Sequence, residues 1–206
     1  MKEIDLATWD RKEIFEFFST IDYPFFSNAM QIDVTKVKDF SKEKSLSFYL
    51  LMVWLTTKSI NSVPAFRVKI VDDKVYRVDR LAPGFTMKND DNDMFKLIDI
   101  DWDPDIYKFI DLANNKYENQ STFVDSTQMN KDKVCITSIP WFTLTSGVHA
   151  HNTNTTNTTT QICFSKYYLE NDRLKMNIII DANHRIVDSY QISKFLDTLA
   201  LEISKL

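Results

Sequence analysis

Apolar residues along this chain follow two rhythms, and the places where one gives way to the other mark out its elements. Residues 9–20, WDRKEIFEFFST, set aromatic side chains at 9, 15, 17 and 18 among charges, which predicts an amphipathic helix. Residues 29–37, AMQIDVTKV, alternate apolar and polar and predict a strand. Residues 47–63, SFYLLMVWLTTKSINSV, are apolar on more than one face, the pattern of a buried helix, and stop before Pro64. Two alternating runs in FRVKIVDDKVYRVD (66–79), joined by Asp72-Asp73, predict a hairpin. LAPGFTM (81–87) reads as a Pro-Gly turn leading into a strand. Residues 103–120 begin with Asp103 as a cap and Pro104 in the first turn, then continue as helix. Two strand-rich stretches follow, 133–145 and 160–182, the second broken by a turn at Glu170-Asn171-Asp172. The chain closes with a helix over 189–206, apolar at 192, 195, 196, 199 and 203.

Strands and helices alternate irregularly and no repeat recurs. That pattern predicts one α/β domain over 1–206, a two-layer sandwich with a mixed β-sheet and flanking helices. HNTNTTNTTT (151–160) is too polar to pack and is expected as a surface loop or exposed edge at about 150–160. Its N-x-T matches at Asn154 and Asn157 are read as coincidental, because the charged start MKEIDLATWDRKEIF does not look like a signal peptide.

Composition narrows the functional classes. The 206 residues are 44% hydrophobic and 13% aromatic, enough for a substantial core. A net charge of −4 with both signs scattered leaves no basic stripe for nucleic acid. No apolar run reaches the roughly 18 residues of a membrane span, so the expected location is the cytoplasm. Two cysteines, Cys135 and Cys163, are read as small hydrophobes in strands rather than a disulfide framework. Only Gly84 and Gly147 occur, which excludes GxGxxG, GxxxxGK[ST] and GxSxG motifs.

The chemistry concentrates at IIIDANHRIVDSYQISKFL, where an apolar run ends and His184 precedes Asp188 by four positions. A lone histidine beside an apolar strand is more often a buried, hydrogen-bonded side chain than a catalyst. By itself Asp188 reads as a cap for the last helix and Arg11 as a surface charge. Read in order, however, WDRKEIFEFF, QIDVT, FRVKIVDDKVYRVD, SIPWF and HRIVD resemble the chloramphenicol acetyltransferase family of CoA-dependent acyltransferases. The resemblance runs from about residue 8 to the C-terminus.

It implies acetyl transfer from acetyl-CoA, as co-substrate and without a metal, to a hydroxyl of a small acceptor, chloramphenicol foremost. It also implies antibiotic resistance as the setting and a homotrimer with sites between subunits. His184 takes the family's base position, and Asp188 with Arg11 its structural ion pair. Counting back from Trp141, Thr137 falls where the family has the oxyanion-stabilising serine, with Ser138 beside it. The acceptor-pocket positions fall on Phe18, Phe26, Phe95, Phe123, His149, His151 and Cys163.

The departures cluster. The family's HHxxxDG is here Asn183-His184 through Asp188-Ser189, its pocket tyrosine is Phe18, its strand threonine is Cys163, and two apolar pocket positions are His149 and His151. An acceptor other than chloramphenicol, or a silent acyltransferase fold that only binds, is therefore weighed beside the main reading. A metal site is weighed as well, since His149-Ala150-His151 on a strand would share one face, with His184 or Cys163 as a third ligand.

Overall fold

The computed structural model describes residues 1–72, 74–89, 92–127, 131–151 and 156–206. Among these a small antiparallel sheet, β1(Lys2–Glu3), β4(Lys74–Arg77) and β3(Val68–Val71), lies apart from a larger one. The larger sheet runs β2(Phe25–Asp33), β10(Arg173–Asn183), β8(Gln161–Ser165), β7(Lys133–Ile139), β5(Ala82–Lys88), β6(Phe95–Asp99), and β9(Tyr168–Glu170) pairs with β10. β7 is parallel to both β5 and β8, and the other pairings are antiparallel, so the sheet is mixed as expected.

Side-chain alternation divides this sheet into two unlike faces. Phe85, Ile98, Val134, Ile136, Ile162, Phe164, Ile178 and Ile180 are all 2% exposed or less and form the core with the helices. The helices are α1(Lys12–Ser19), α2(Thr35–Glu43), α3(Phe48–Asn61), α4(Ile106–Asn119) and α5(Ser189–Ser204). α3 is buried at nearly every position from Leu50 to Ile60, which explains its unpatterned apolar sequence. Its polar residues turn back on their own helix: Thr57 Oγ1 donates to the Val53 carbonyl and Ser59 Oγ to that of Leu55, both at 2.8 Å.

The other face carries Ser27, Asp181, Asn177, Gln161, Cys163, Cys135, Thr137 and Thr86. A strap formed by residues 141–151 crosses it and is pinned by sheet side chains. Ser27 Oγ donates to the Gly147 carbonyl (2.8 Å), Asn177 Nδ2 to that of Leu144 (2.6 Å) and Gln161 Nε2 to that of Ala150 (2.8 Å). Gly147 permits the close approach, since a Cβ there would stand 3.3 Å from Ile179 Cδ1.

Several expectations are corrected. The run 29–37 joins the end of β2 to the start of α2, which the alternating pattern hid. There is no turn at Pro83-Gly84; β5 passes straight through both. The lack of a side chain at Gly84 instead leaves room for Lys133, whose Cδ would lie 3.0 Å from a Cβ there. α4 is capped by Asp105, which accepts from the backbone N–H of Tyr107 and Lys108, while Asp103 accepts from Asp105 N–H at 2.7 Å. The segment 151–160 is not wholly exposed: Thr158 and Thr160 are 4% and 2% exposed, and Thr160 carbonyl accepts from Cys135 N–H. Asn154 and Asp73 lie outside the described residues, whereas Asn171 and Asp172 turn the β9–β10 hairpin with φ of 50° and 59°. Among the described residues, no helix is long and apolar enough to cross a membrane.

Candidate active site

His184 is the first residue past β10, in the turn that leads to α5. Its backbone N–H continues the β10–β2 ladder by donating to the Pro24 carbonyl at 2.7 Å. Its ring is clamped between aromatic faces. Phe18 of α1 stacks on it at 3.9 Å between centroids and 8° between planes, and Phe26 of β2 closes in at 4.5 Å and 35°. Nδ1 is buried without a hydrogen-bond partner among the described residues. Two of the predicted pocket residues thus orient the predicted base.

The turn itself is held from both ends. Asn183 Oδ1 accepts from the Arg185 N–H at 3.0 Å, which gives Asn183 a local structural task. Arg185 lies over the Phe15 ring at 4.6 Å and donates to Ser19 Oγ at 2.9 Å. At the other end Asp188 caps α5 in a capping box with Gln191. The same carboxylate accepts from Arg11 Nη1 at 3.0 Å, just before α1 begins. Burial alone would raise the Asp188 carboxyl, but Arg11 and the Tyr190 N–H outweigh it and hold the group below the ordinary range.

Thr137 lies elsewhere. It sits on β7, and its hydroxyl meets that of Thr86 at 3.0 Å on the floor of a cavity of about 510 Å³. Ser138, Phe95, Met94 and Trp141 also line this cavity, and Phe123 packs edge-on against Phe95 at 5.3 Å. Thr137 stands opposite Cys163 and Cys163 opposite Ile179, while His184 lies five residues farther along the chain, just past β10 and away from the carboxyl end of β7. Strand spacing and rise put their Cα atoms on the order of 15–20 Å apart. Within one chain His184 and Thr137 cannot flank the same carbonyl.

The remaining pocket positions form a third group. Asp181, its side chain 1% exposed, accepts from the His149 backbone N–H and, at 2.7 Å, from His149 Nδ1. His151 Nε2 is 3.6 Å from the same oxygen, and the His151 ring stacks on Phe25 at 4.4 Å. The pattern of the sequence did not single out Asp181; the one available signal was a carboxylate inside the run IIIDA. The Ser27 hydroxyl, whose single proton is shared between this carboxylate and the Gly147 carbonyl, adds support. Burial would raise Asp181, yet these bonds, His149 foremost, keep it ionised below the usual range. Burial pushes His151 down, and Asp181 offsets part of that. Cys163, 3% exposed, has its thiol pushed up to about 11 by burial, with the Asp181 charge adding, so it is not a thiolate nucleophile. The HAH segment is not a strand, and among the described residues no three His, Cys, Asp or Glu side chains are grouped to hold a metal ion.

The sequence profile described as "Chloramphenicol acetyltransferase" matches residues 1–200. The chain belongs to the chloramphenicol acetyltransferase family. Its relatives include chloramphenicol acetyltransferase 2 of Escherichia coli, 24% identical over 202 residues, covering 96% of this chain and 94% of that one. A chloramphenicol acetyltransferase of Staphylococcus aureus is 26% identical over 198 residues, covering 94% and 92%. Among solved structures, a chloramphenicol acetyltransferase superimposes with a TM-score of 0.89 at 20% identity, covering 98% of this chain and 99% of that one. A dihydrolipoamide acetyltransferase of Azotobacter vinelandii gives 0.72 at 15% identity, covering 93% and 86%. The fold therefore extends beyond the family, while the ion pair at Arg11 and Asp188 and the clamped His184 are features of this chain.

Proposed function

We propose that this chain transfers the acetyl group of acetyl-CoA to a hydroxyl of a small molecule, in the cytoplasm, as one domain acting in a homotrimer. Chloramphenicol, which names the relatives, is the first acceptor to consider, with antibiotic resistance as the consequence. One observation carries the reading. An imidazole sits in an aromatic clamp at the β10–α5 turn, with its supporting ion pair formed at 3.0 Å.

In this reading His184 accepts the proton of the acceptor hydroxyl as its oxygen attacks the thioester carbonyl. Carbon–oxygen bond formation gives a tetrahedral oxyanion, for which a threonine hydroxyl is a suitable donor. Collapse expels the CoA thiolate, which takes the proton back from the imidazolium. Arg11 and Asp188 transfer no proton; they fix the turn that carries the base. Because Thr137 and His184 are far apart in one chain, the donor comes from a neighbouring copy. That requirement supports an oligomer with its sites at subunit boundaries.

Thiol release from acetyl-CoA, followed with and without chloramphenicol, tests the proposal. Chloramphenicol-dependent release should fall by at least about 100-fold in His184→Ala, the usual scale for losing a general base. Retained acetyl-CoA binding with no release for any alcohol offered would sink it in favour of a silent binding protein.

A further inference from the structure

Asp181 is the most unusual charge in the molecule. It is wholly enclosed, yet among the described residues its ion-pair partners are two imidazoles, with no lysine or arginine. Among the described residues neither its Oδ1 nor His151 Nε2 has a partner within hydrogen-bond distance. Buried carboxylates are normally matched by a cation, because an unpaired buried charge is expensive.

The hydrogen bonds fix what the two rings can offer. An ionised carboxylate only accepts, so His149 Nδ1 carries the proton it shares with Asp181. Its Nε2 is then a lone pair when the ring is neutral, and 15% of the side chain stays exposed. Among the described residues nothing bonds to it. In His151 the Gln161 amide nitrogen stands 3.1 Å from Nδ1 and donates to it, which puts that ring's proton on Nε2, toward Asp181. In these tautomers the cluster sets the Asp181 carboxylate beside one ring, that of His149, whose second nitrogen is free to accept. Tyr23 and Phe25 stand beside it, Tyr23 45% exposed.

The location matters as much as the charge. Cys163 and Asp181 project from the same sheet face as Thr137, Cys163 directly opposite it and Asp181 one strand farther on. The strap that carries His149 begins at Trp141, in the wall of the Thr137 cavity. His149 is thus tied through the strap to the wall of the Thr137 cavity and through Asp181 to β10, three residues before His184.

We propose that His149, positioned by Asp181, determines acceptor specificity, and that the acceptor it selects is an amino alcohol, whose ammonium binds Nε2 while its hydroxyl is acetylated. The inference rests on the acetyl-transfer reading above. His149 is the contacting residue, and Asp181 acts through it as a positioning residue. An apolar aromatic acceptor gains nothing from this nitrogen, whereas an ammonium gains a charge-assisted hydrogen bond and completes the charge of Asp181.

The test uses the full chain with two probes: the amino diol left when chloramphenicol loses its dichloroacetyl group, and the N-acetyl derivative of that diol. One carries an ammonium and the other a neutral amide of similar size. Calorimetric binding and thiol release are measured for the wild type, His149→Leu and Asp181→Asn, the last keeping the shape of the buried side chain. The wild type should favour the ammonium probe by about 10-fold or more in Kd and in KM. Both variants should bring the ratio close to one, the loss falling on Kd and KM for the ammonium probe. Equal binding of the two probes by the wild type overturns the inference, as does a preference that survives both substitutions. A fall in kcat alone in His149→Leu also overturns it, since the ring would then belong to the chemistry. Absence of thiol release with every acceptor removes the acetyl-transfer reading, and the binding ratios still decide the role of His149.

Discussion

His184 and Cys163 show how environment, rather than residue type, assigns chemistry. Both are reactive side chains, but His184 is half-buried between two aromatic rings at the turn after β10 and Cys163 is sealed in the middle of β8. With its thiol pushed up to about 11, Cys163 carries almost no thiolate at pH 8. Iodoacetamide should therefore label it far more slowly than a free thiol in the native protein, and Cys163→Ala should keep most of the acetyl-transfer rate. Fast labelling with matching loss of activity would contradict this. His184, Asp188 and Arg11 were singled out only through the resemblance of several short motifs read in order, since Arg11 and Asp188 stand 177 positions apart. Asp181 was not, because a carboxylate inside an apolar run acquires meaning only from residues thirty positions away. The pairing of His149 with it depends on the strap, which no periodicity announces.

At the scale of elements, the last helix shows one side chain holding two structures together. Asp188 caps α5 and also ties the start of α1 to it through Arg11, with side chains 26% and 13% exposed. The pair lies between a surface bridge and a buried one, so Arg11→Ala should cost roughly 1–3 kcal/mol. The Asp188 carboxyl is depressed in the folded state. Its contribution is thus complete above the unfolded value, about 3.9, and is lost as pH falls through the lower folded value. Urea unfolding of wild type and Asp188→Asn should differ clearly at pH 7 and converge toward pH 2. A gap that widens in acid would refute the sign. Strongly patterned elements such as α3, α5 and the hairpins could be read from sequence. α2 escaped because only Val37 and Ser41 are buried in it, leaving little apolar rhythm, and because the alternation of β2 runs on into its first turn. At Pro83-Gly84 local turn chemistry lost to the sheet, where β5 is paired on both sides.

At the scale of the whole molecule, one separation governs the account. The proposed base and the hydroxyl proposed to stabilise the oxyanion are on the order of 15–20 Å apart in a single chain, so the proposed mechanism calls for two copies, each giving a different half. Fold class was legible in the sequence; the proposed base and the sites between subunits came only from the resemblance, because sequence order carries no record of which edge meets a neighbour. The direct measurement is complementation. His184→Ala and Thr137→Val proteins, each nearly inactive in chloramphenicol-dependent thiol release, are unfolded together, refolded as a mixture and assayed. In a closed ring of randomly mixed copies, roughly a quarter of the boundaries join an intact His184 to an intact Thr137. The account predicts recovery of about that fraction of the wild-type rate, and a mixture no more active than its two components would contradict it.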